Sequence, residues 1–387
     1  MTTVAAGRAA GAGSASGGAA GRAGEAGVGG STVASAAGAG VGGFVRPADA
    51  VLDAFAALIG SEGPVCVAGG RTQWSVGGVP AVGTRQVTAP AGVVSHQPAE
   101  MIVRVRAGTT VAAMDDVLAE GGQMVPLDPT DPSRATVGGV LAVGQSGWRR
   151  VRYGPLRDYV LEATFVSSSG QLIRAGGPVV KNVTGYDLCR LLVGSLGTLG
   201  LVAEVVLRCV PRPAAQRWLA GEGVDPFEVM RLLYRPSSIL WDGSRVWVLL
   251  EGNAGDVAAQ EALLGGGFVE VAAPPPLPGD SVSGDSLPGD EGSGDPTAQG
   301  VSGAGRLSLT PAELRRLAGL PQESLPAWVA EVGVGVVHCV APAALATGLG
   351  RPWPAVVTPG VAELHRRLKS RFDPTGRLNP GRRIGVA

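Results

Sequence analysis

Three short glycine-rich segments, each following or joining a strand-like apolar run, constrain this 387-residue chain more than any other feature. They occupy residues 68–72 (AGGRT), 135–147 (ATVGG and GQSG) and 194–200 (GSLGTLG). Adjacent glycines permit positive φ angles and allow another group to approach the backbone closely. Successive N–H groups in such turns can point into one concavity and bind a phosphate without a charged side chain. The spacing predicts anion-binding loops, and the alternative for each single cluster is an ordinary turn, because the chain has 62 glycines.

The rest of the composition excludes several other classes of site. No GxGxxG fingerprint with a downstream acid stands between a strand and a helix, so a Rossmann site is not indicated. The chain has 32 basic and 32 acidic residues and no basic stripe interleaved with aromatics, so nucleic acid is not an expected partner. The four cysteines lack CxxC spacing, which is typical of buried free thiols. No apolar run is long enough for a transmembrane segment and residues 1–43 lack the apolar core of a secretory signal, so we expect a cytoplasmic protein.

Two low-complexity stretches divide the chain. Residues 1–43 are almost entirely Gly, Ala, Ser and Val, and residues 272–306 are rich in Pro, Gly, Asp and Ser. Neither can bury enough apolar surface to offset its ordering entropy, so both are predicted to be disordered. Strand-like and helix-like runs mix without a regular βαβ alternation, which predicts an α+β fold. We expect one domain over 44–213, a smaller α+β domain over 214–350 that contains the insert, and a closing segment over 351–387.

The motifs around the glycine segments resemble those of a known family. They read GGRT at 69–72, RAGTTVAAMDDVLAEGGQMVPLDP at 106–129, ATVGGVLAVGQSG at 135–147, RYGPLRDYVLEATFV at 152–166, VVKNVTGYDLCRLLVGSLGTLGLVAEVVLR at 179–208 and FDPTGRLNPGR at 372–382. The first five are similar to the FAD-binding domain of the vanillyl-alcohol-oxidase/para-cresol-methylhydroxylase superfamily, and within it to the FAD-binding subunits of bacterial glycolate oxidases. The last motif resembles the segment that closes that domain. KNVTGYDL together with GSLGTLG is far more specific than a lone glycine motif.

The resemblance implies a two-subdomain PCMH-type FAD-binding domain over 44–213, a reduced cap domain over 214–350, and a closing segment that returns to the FAD-binding domain. It assigns the pyrophosphate to the GGRT loop, and the wall along the flavin and ribityl to ATVGGVLAVGQSG and the start of RYGPLRDYVLEATFV. The GSLGTLG segment would contact the adenine side or the ring, and the end of the chain would approach the edge of the isoalloxazine. The residues implied in FAD binding are Gly69, Gly70, Arg71, Thr72, Thr136, Gly138, Gly139, Ser146, Gly147, Tyr153, Gly154, Gly197, Thr198, Gly200, Val202, Asn379 and Arg382. Neither the GGRT loop nor the GQSG loop has a His or Cys that could tether the flavin, so the FAD is expected to be non-covalent.

The function that the resemblance implies is that of the FAD-binding subunit of a glycolate (2-hydroxy-acid) oxidase or dehydrogenase complex, which oxidises glycolate to glyoxylate. Electrons would pass through the flavin to a second flavin subunit and an iron–sulfur subunit, through which the chain could also associate with a membrane. Two alternatives stay open. One is a non-catalytic flavin-binding structural subunit, and the other is a stand-alone FAD-dependent dehydrogenase of the D-lactate type.

The sequence does not assign catalytic residues. The histidines show no metal-ligand spacing, so no metal site is predicted. We expect a solvated turn, a core strand and an exposed helix face, respectively, for His96, His338 and His365. Arg152, Lys181 and Tyr186 are interpreted as structural hydrogen-bonding residues, with substrate or flavin contacts as the alternative.

Overall fold

The computed structural model of the protein describes four ranges, all within the unit Ala48–Ala387, namely 49–177, 187–278, 305–352 and 357–383. The predicted tail at 1–43, most of the predicted insert, and the residues Lys181 and Tyr186 lie outside the described residues. Within the ranges described, no helix is both long enough and apolar enough to cross a membrane.

The first half of the described chain is built on an antiparallel sheet. Its elements are α1 (Ala50–Ile59), β1 (Val65–Val67), β2 (Arg85–Val87), β3 (Val93–Gln97), β4 (Ile102–Arg106), α2 (Val111–Glu120), β5 (Gln123–Met124), α3 (Val137–Val143), α4 (Arg150–Tyr153), β6 (Val160–Val166), β7 (Leu172–Gly176), α5 (Leu188–Leu192), β8 (Leu201–Arg208) and β9 (Val210–Pro211). The sheet has the order β3-β4-β8-β6-β7, while β1 pairs in parallel with β2 and β5 pairs with β9. The core of this half includes Val105, Met114, Leu141, Phe165 and Val205.

Local capping signals set the bounds of the helices near the glycine segments. Asp49 starts α1, because its side chain accepts hydrogen bonds from the N–H groups of Val51 and Leu52 at 3.1 and 3.2 Å. Thr136 starts α3 in the same way, since its hydroxyl accepts a hydrogen bond from the N–H of Gly139 at 3.2 Å. Gly144 ends α3 with a φ of 71°, a conformation that favours glycine.

The second half is a seven-stranded antiparallel sheet with helices on one face. Its elements are β10 (Ala215–Glu222), α6 (Pro226–Leu232), β11 (Ser238–Trp241), β12 (Arg245–Gly252), α7 (Ala254–Leu264), β13 (Phe268–Val271), β14 (Gly305–Ser308), α8 (Pro311–Ala318), β15 (Trp328–Glu331), β16 (Val336–Cys339) and α9 (Pro342–Gly348). The strand order is β13-β10-β12-β11-β15-β16-β14. One face packs against α6 to α9, and the other face packs against Trp148 of the first half through a cluster that includes Trp218, Leu240, Leu249 and Val329.

The structure differs from the prediction at both ends of residues 272–306. The strands β13 and β14 are consecutive in the chain but lie at opposite edges of the sheet, and residues 272–304 form the connection between them. At the start of this connection, Leu277 is 8% exposed and packs with Trp218, Leu240 and Val329. At its end, Gly305 and Arg306 already belong to β14. One end buries a side chain and the other belongs to a strand, whereas the composition of residues 272–306 predicts disorder throughout.

The end of the chain returns to the first half. After α10 (Pro359–Phe372), the segment 373–383 runs beside β1, where Val65 and Leu378 form a parallel bridge. Arg377 is 5% exposed, and its guanidinium donates to the carbonyl oxygens of Ile59, Gly60, Glu62, Gly63 and Ser168 at 2.9 to 3.2 Å. This one side chain therefore connects the closing segment to the end of α1 and to the turn after β6.

Replacing Arg377 by Ala should lower the free energy of unfolding by about 3 kcal/mol, because one buried and four part-buried hydrogen bonds to carbonyl oxygens lose their charged donor. Urea denaturation measures the change. Arg157→Ala is the matched control, since Arg157 is exposed and its removal leaves no buried acceptor unpaired. An equal loss of stability in the two variants would contradict the role given to Arg377.

Candidate functional site

A cleft of about 180 Å³ lies where β1, α3 and the 195–200 loop meet. Its walls are backbone and small or apolar side chains, and none of its lining residues is charged. The predicted cofactor residues that line it are Gly69, Thr136, Gly138, Gly139, Gly197, Gly200, Val202 and Asn379. The three glycine segments, far apart in sequence, thus share one crevice, as the anion-binding interpretation requires.

The turn after β1 offers free backbone donors. Ala68 still donates its N–H to the carbonyl of Val87 at 2.9 Å, but the N–H groups of residues 69–72 have no acceptor within the described part of the chain. Arg71 has a φ of 56°, which turns the backbone within this run. Consecutive free N–H groups around a left-handed residue are the arrangement that binds a phosphate.

The same turn packs too closely for any side chain at its glycines. A Cβ atom on Gly70 would lie 1.8 Å from the carbonyl oxygen of Arg134, and one on Gly69 would lie 2.3 Å from Oγ1 of Thr136. Both contacts are far shorter than real Cβ contacts, and at Gly70 the neighbour is backbone, which cannot rotate away. The glycines here therefore bring the turn against the start of α3, and this close approach forms one wall of the cleft.

The start of α3 contributes space rather than donors. The N–H of Val137 donates to the carbonyl of Thr109 and that of Gly138 to the carbonyl of Ala107, both at 2.8 Å. The N–H of Gly139 is used by the cap at Thr136. A Cβ on Gly138 would lie 2.7 Å from that of Ala107, so the glycine lets the helix sit on the end of β4. Residues 136–139 can shape a pocket, but the amides of residues 137–139 are already occupied.

The 195–200 loop has free backbone donors and also a glycine that close packing requires. The N–H groups of Gly197, Leu199 and Gly200 lack an acceptor among the described residues, and Gly197 has a φ of 69°. A Cβ on Gly200 would lie 2.5 Å from the ring of Phe165, so this glycine is also required for packing. Thr198 is 2% exposed and its hydroxyl donates to the carbonyl of Ser195 at 2.7 Å. Thr198 therefore holds the loop together and does not line the cleft.

Asn379 lines the cleft and has a side-chain acceptor without a partner in the described part of the chain. Its side-chain N–H donates to the carbonyl of Leu196, and its own backbone N–H donates to the carbonyl of Val65 at 2.8 Å. Its Oδ1 atom is buried and has no hydrogen-bond partner in the described part. A buried acceptor without a partner costs about 1–3 kcal/mol, which a bound donor group would recover.

The other predicted residues lie outside the lining of this cleft. Ser146 accepts a hydrogen bond from the N–H of Leu156 at 3.0 Å, and a Cβ on Gly147 would lie 2.2 Å from that of Asp128. Arg382 and Arg71 lie 4.6 and 5.3 Å from the ring centroid of Trp74. The lining also does not include Gly70, Thr72, Tyr153 and Gly154.

Arg149 joins the two halves of the molecule, and the sequence analysis did not identify it. Its guanidinium pairs with Asp128 and, at 2.9 Å, with Oε1 of Glu251 on β12. Burial raises the pKa of Asp128, and the charge of Arg149 opposes that rise. The neighbouring Arg152 donates to the carbonyl oxygens of Arg235 and Glu251, which agrees with its interpretation as a structural residue. The partners of Arg149 lie 21 and 102 residues away, so no local pattern could have shown the cluster.

The histidines take the following positions. His338 is 4% exposed, and its Nε2 lies 2.6 Å from a carboxylate oxygen of Glu331, so the prediction of a core histidine agrees with the structure. His96 was expected in a solvated turn, but it lies half-buried in β3, and its Nε2 is 3.0 Å from the side-chain oxygen of Gln123. His365 was expected to be exposed and is half-buried on α10. Among the described residues, no group of three or more His, Cys, Asp or Glu could hold a metal ion.

Comparison with known proteins decides which ligand the cleft suits. Residues 43–176 match the family model described as an FAD binding domain. Over these residues the chain is therefore similar to FAD-binding domains. The described part of the matched region contains the 69–72 turn and α3, and the unused acceptor of Asn379 together with the free amides fits a diphosphate-containing cofactor with polar groups of its own.

Two curated relatives and one solved structure extend this finding. The chain is 34% identical to glycolate oxidase subunit GlcE of Escherichia coli over 224 residues, which are 56% of the chain and 64% of that protein. It is 39% identical to glycolate oxidase subunit GlcD of Bacillus subtilis over 123 residues, 31% of the chain and 26% of that protein. The chain thus spans less than two thirds of either relative. It shares the fold of an alkyldihydroxyacetonephosphate synthase, with a TM-score of 0.57, 14% identity, and coverage of 82% of this chain and 71% of that one.

Replacing Gly70 by Val should lower the FAD content of the purified protein at least about tenfold, because the added Cβ forces the turn away from Arg134 and moves its free N–H groups. The ratio of flavin absorbance to protein measures the loss, and far-UV circular dichroism checks the fold. Gly266→Val is the matched control, since nothing lies within 4 Å of its Cβ position. Full flavin content in Gly70→Val would contradict the assignment of this turn.

Asp115 on α2 provides a test of the charge cluster around Arg149. Burial raises its pKa from the ordinary 3.8 to about 6, the charge of Arg212 opposes the rise, and the charge of Asp128 adds to it. Its Oδ1 atom is buried without a hydrogen-bond partner in the part described. Ionisation of this carboxyl is therefore less favourable in the folded protein than in the unfolded chain.

Because the folded-state pKa is the higher one, the folded protein binds the proton more tightly, and stability falls as the pH rises from about 4 to about 6. Asp115→Asn removes this loss, so it should stabilise the protein by about 1 kcal/mol at pH 7.5, allowing for solvent screening, and by much less at pH 4. Thermal unfolding at both pH values measures the difference, with the exposed neighbour Asp116→Asn as control. The same change at both pH values would refute the assignment.

Proposed function

We propose that this chain is the FAD-binding subunit of a 2-hydroxy-acid oxidase or dehydrogenase, with glycolate as the substrate that becomes glyoxylate. The observation that carries the proposal is the single cleft in which three glycine segments and Asn379 meet. The 34% identity to a protein named as a glycolate oxidase subunit supports the substrate class.

Different residues around the cleft bind different parts of the cofactor. The free N–H groups of residues 69–72 bind the pyrophosphate, and those of Gly197 and Gly200 bind further along the cofactor, where Asn379 accepts a hydrogen bond. Gly138 and Gly139 leave the space that the flavin or ribityl occupies. Non-covalent FAD supplies a two-electron acceptor to the site.

The substrate needs groups that this cleft does not offer. A 2-hydroxy acid requires cations for its carboxylate and a base for its hydroxyl proton, yet the lining residues carry no charge. We therefore propose that a second flavin subunit and an iron–sulfur subunit complete the enzyme and receive its electrons. The same observation supports the second candidate function, a subunit that binds flavin while its partner performs the chemistry.

Anaerobic reduction tests the proposal. Glycolate added to the assembled complex should bleach the flavin bound to this chain within turnover time, and the chain alone should bleach at least about tenfold more slowly. Heat denaturation should release the flavin into the supernatant, because it is not covalently bound.

Other outcomes point to the other functions. Bleaching of the isolated chain by D-lactate and not by glycolate would make it a stand-alone dehydrogenase. Flavin that neither substrate reduces, alone or in the complex, would make the chain a structural subunit. A purified protein without flavin would contradict the proposal as a whole.

A further inference from the structure

The first half of α10 is exposed to solvent. No residue of this helix is fully buried, and residues 359–364 are all exposed, including Val361 at 44% and Leu364 at 53%. A helix of this length owes most of its stability to the packing of an apolar face, and on its own it would be marginal in water. The described part of the chain therefore provides no surface against which the first turns of α10 pack.

The apolar residues of α10 form one stripe. Val361, Leu364, Leu368 and Phe372 follow one another at intervals of three and four residues, which places them on one side of the helix. Leu368 and Phe372 pack against the core of the first half of the molecule. The stripe is thus covered where the helix ends and uncovered where it begins.

Two cations beside this stripe have no counter-charge among the described residues. Arg367 and Arg371 are exposed, one helical turn apart, and neither forms an ion pair within the described ranges. The other cations differ, since Arg366 pairs with Glu363 and Lys369 pairs with Asp373 at 2.6 Å. An apolar stripe flanked by unpaired arginines complements an apolar groove with carboxylates at its rim.

The stripe also lies close to the cofactor cleft. The ammonium group of Lys369 donates to the carbonyl oxygens of Thr198 and Leu378, both at 2.9 Å, and these residues adjoin the cleft. Leu364 lies five residues before Lys369, about 7.5 Å along the helix axis. A protein that covers the stripe would therefore lie beside the cofactor cleft.

We propose that the first half of α10 docks the second flavin subunit, which receives electrons from this chain, with Val361 and Leu364 in an apolar groove and Arg367 and Arg371 against acidic residues at its rim. This inference rests on the proposed function. A bilayer does not fit, because the same stripe turns into the protein body at Leu368, and a flat surface cannot follow it there. A second copy of the chain does not fit either, because unpaired arginines would lie beside unpaired arginines.

Co-expression of the full chain with the second flavin subunit tests the surface. Leu364→Glu should weaken the complex at least about tenfold, as measured by size-exclusion chromatography with light scattering and by titration. Leu263→Glu is the matched control, because Leu263 on α7 is also 53% exposed but lies far from the stripe in sequence and on another element. Flavin content should stay unchanged in both variants, which shows that each is folded.

Charge reversal tests the second part of the surface. The double variant Arg367→Glu/Arg371→Glu should also weaken the complex, and added salt should weaken the wild-type complex more than that of the variant. Arg157→Glu serves as control. In the complex, the amides of residues 361–367 should exchange hydrogen at least about tenfold more slowly than in the free chain.

Several results would overturn the inference. One is a complex of unchanged affinity with Leu364→Glu. Another is a free chain that dimerises through Leu364, or one that binds vesicles of phosphatidylglycerol and phosphatidylcholine through Arg367. If the wild type forms no complex and yet its flavin is reduced by glycolate, the docking surface fails while the proposed oxidation stands. If the complex forms through Leu364 and glycolate reduces no flavin in it, the surface stands and the proposed substrate fails.

Discussion

The buried guanidinium of Arg377 connects parts of the chain that are more than 300 residues apart, and the cofactor cleft depends on that connection. Its bonds to carbonyl oxygens between Ile59 and Gly63 place the closing segment beside β1. Two residues further on, Asn379 reaches the loop that contains Leu196. Lys369 ties α10 to the same loop through the carbonyl of Thr198. Asn379, from the closing segment, therefore lines the cleft beside residues of the first half.

The glycines around the cleft act in two physically different ways. Those in the turn after β1 and in the 195–200 loop leave backbone N–H groups free, which supplies positive potential without a charged side chain. Gly138 has its N–H group occupied and serves instead to let α3 sit on Ala107. The glycine segments, which the sequence suggests are all phosphate-binding loops, thus include glycines that offer hydrogen-bond donors and glycines that only allow close packing. This division explains how a cleft without charged lining residues can bind a polyanionic cofactor.

The contact between the two halves rests on a different interaction. Trp148 and Arg149 directly follow the GQSG loop. Trp148 contacts Trp218, and Arg149 pairs with Glu251, on the face of the second sheet that its helices leave uncovered. The start of the connection after β13 lies on the same face through Leu277. The segment after the GQSG loop and the second sheet are consequently in contact through the Trp148–Trp218 pair, the ion pair of Arg149 with Glu251 and the hydrogen bonds of Arg152.

The sequence by itself determined the elements whose causes are local. The α+β class follows from hydrophobic periodicity, and the glycine turns and the resemblance to FAD-binding domains are visible in contiguous motifs. Only the tertiary structure decided which of those residues share a crevice. Thr198 and Ser146 belong to the same motifs as the residues that line the cleft, but their hydroxyls form hydrogen bonds with nearby backbone groups instead. It also decided the roles of Arg149, Arg377 and Leu277, whose partners are distant in sequence. Burial and pairing over such separations leave no periodic trace in the chain, and so they appear only once it is folded.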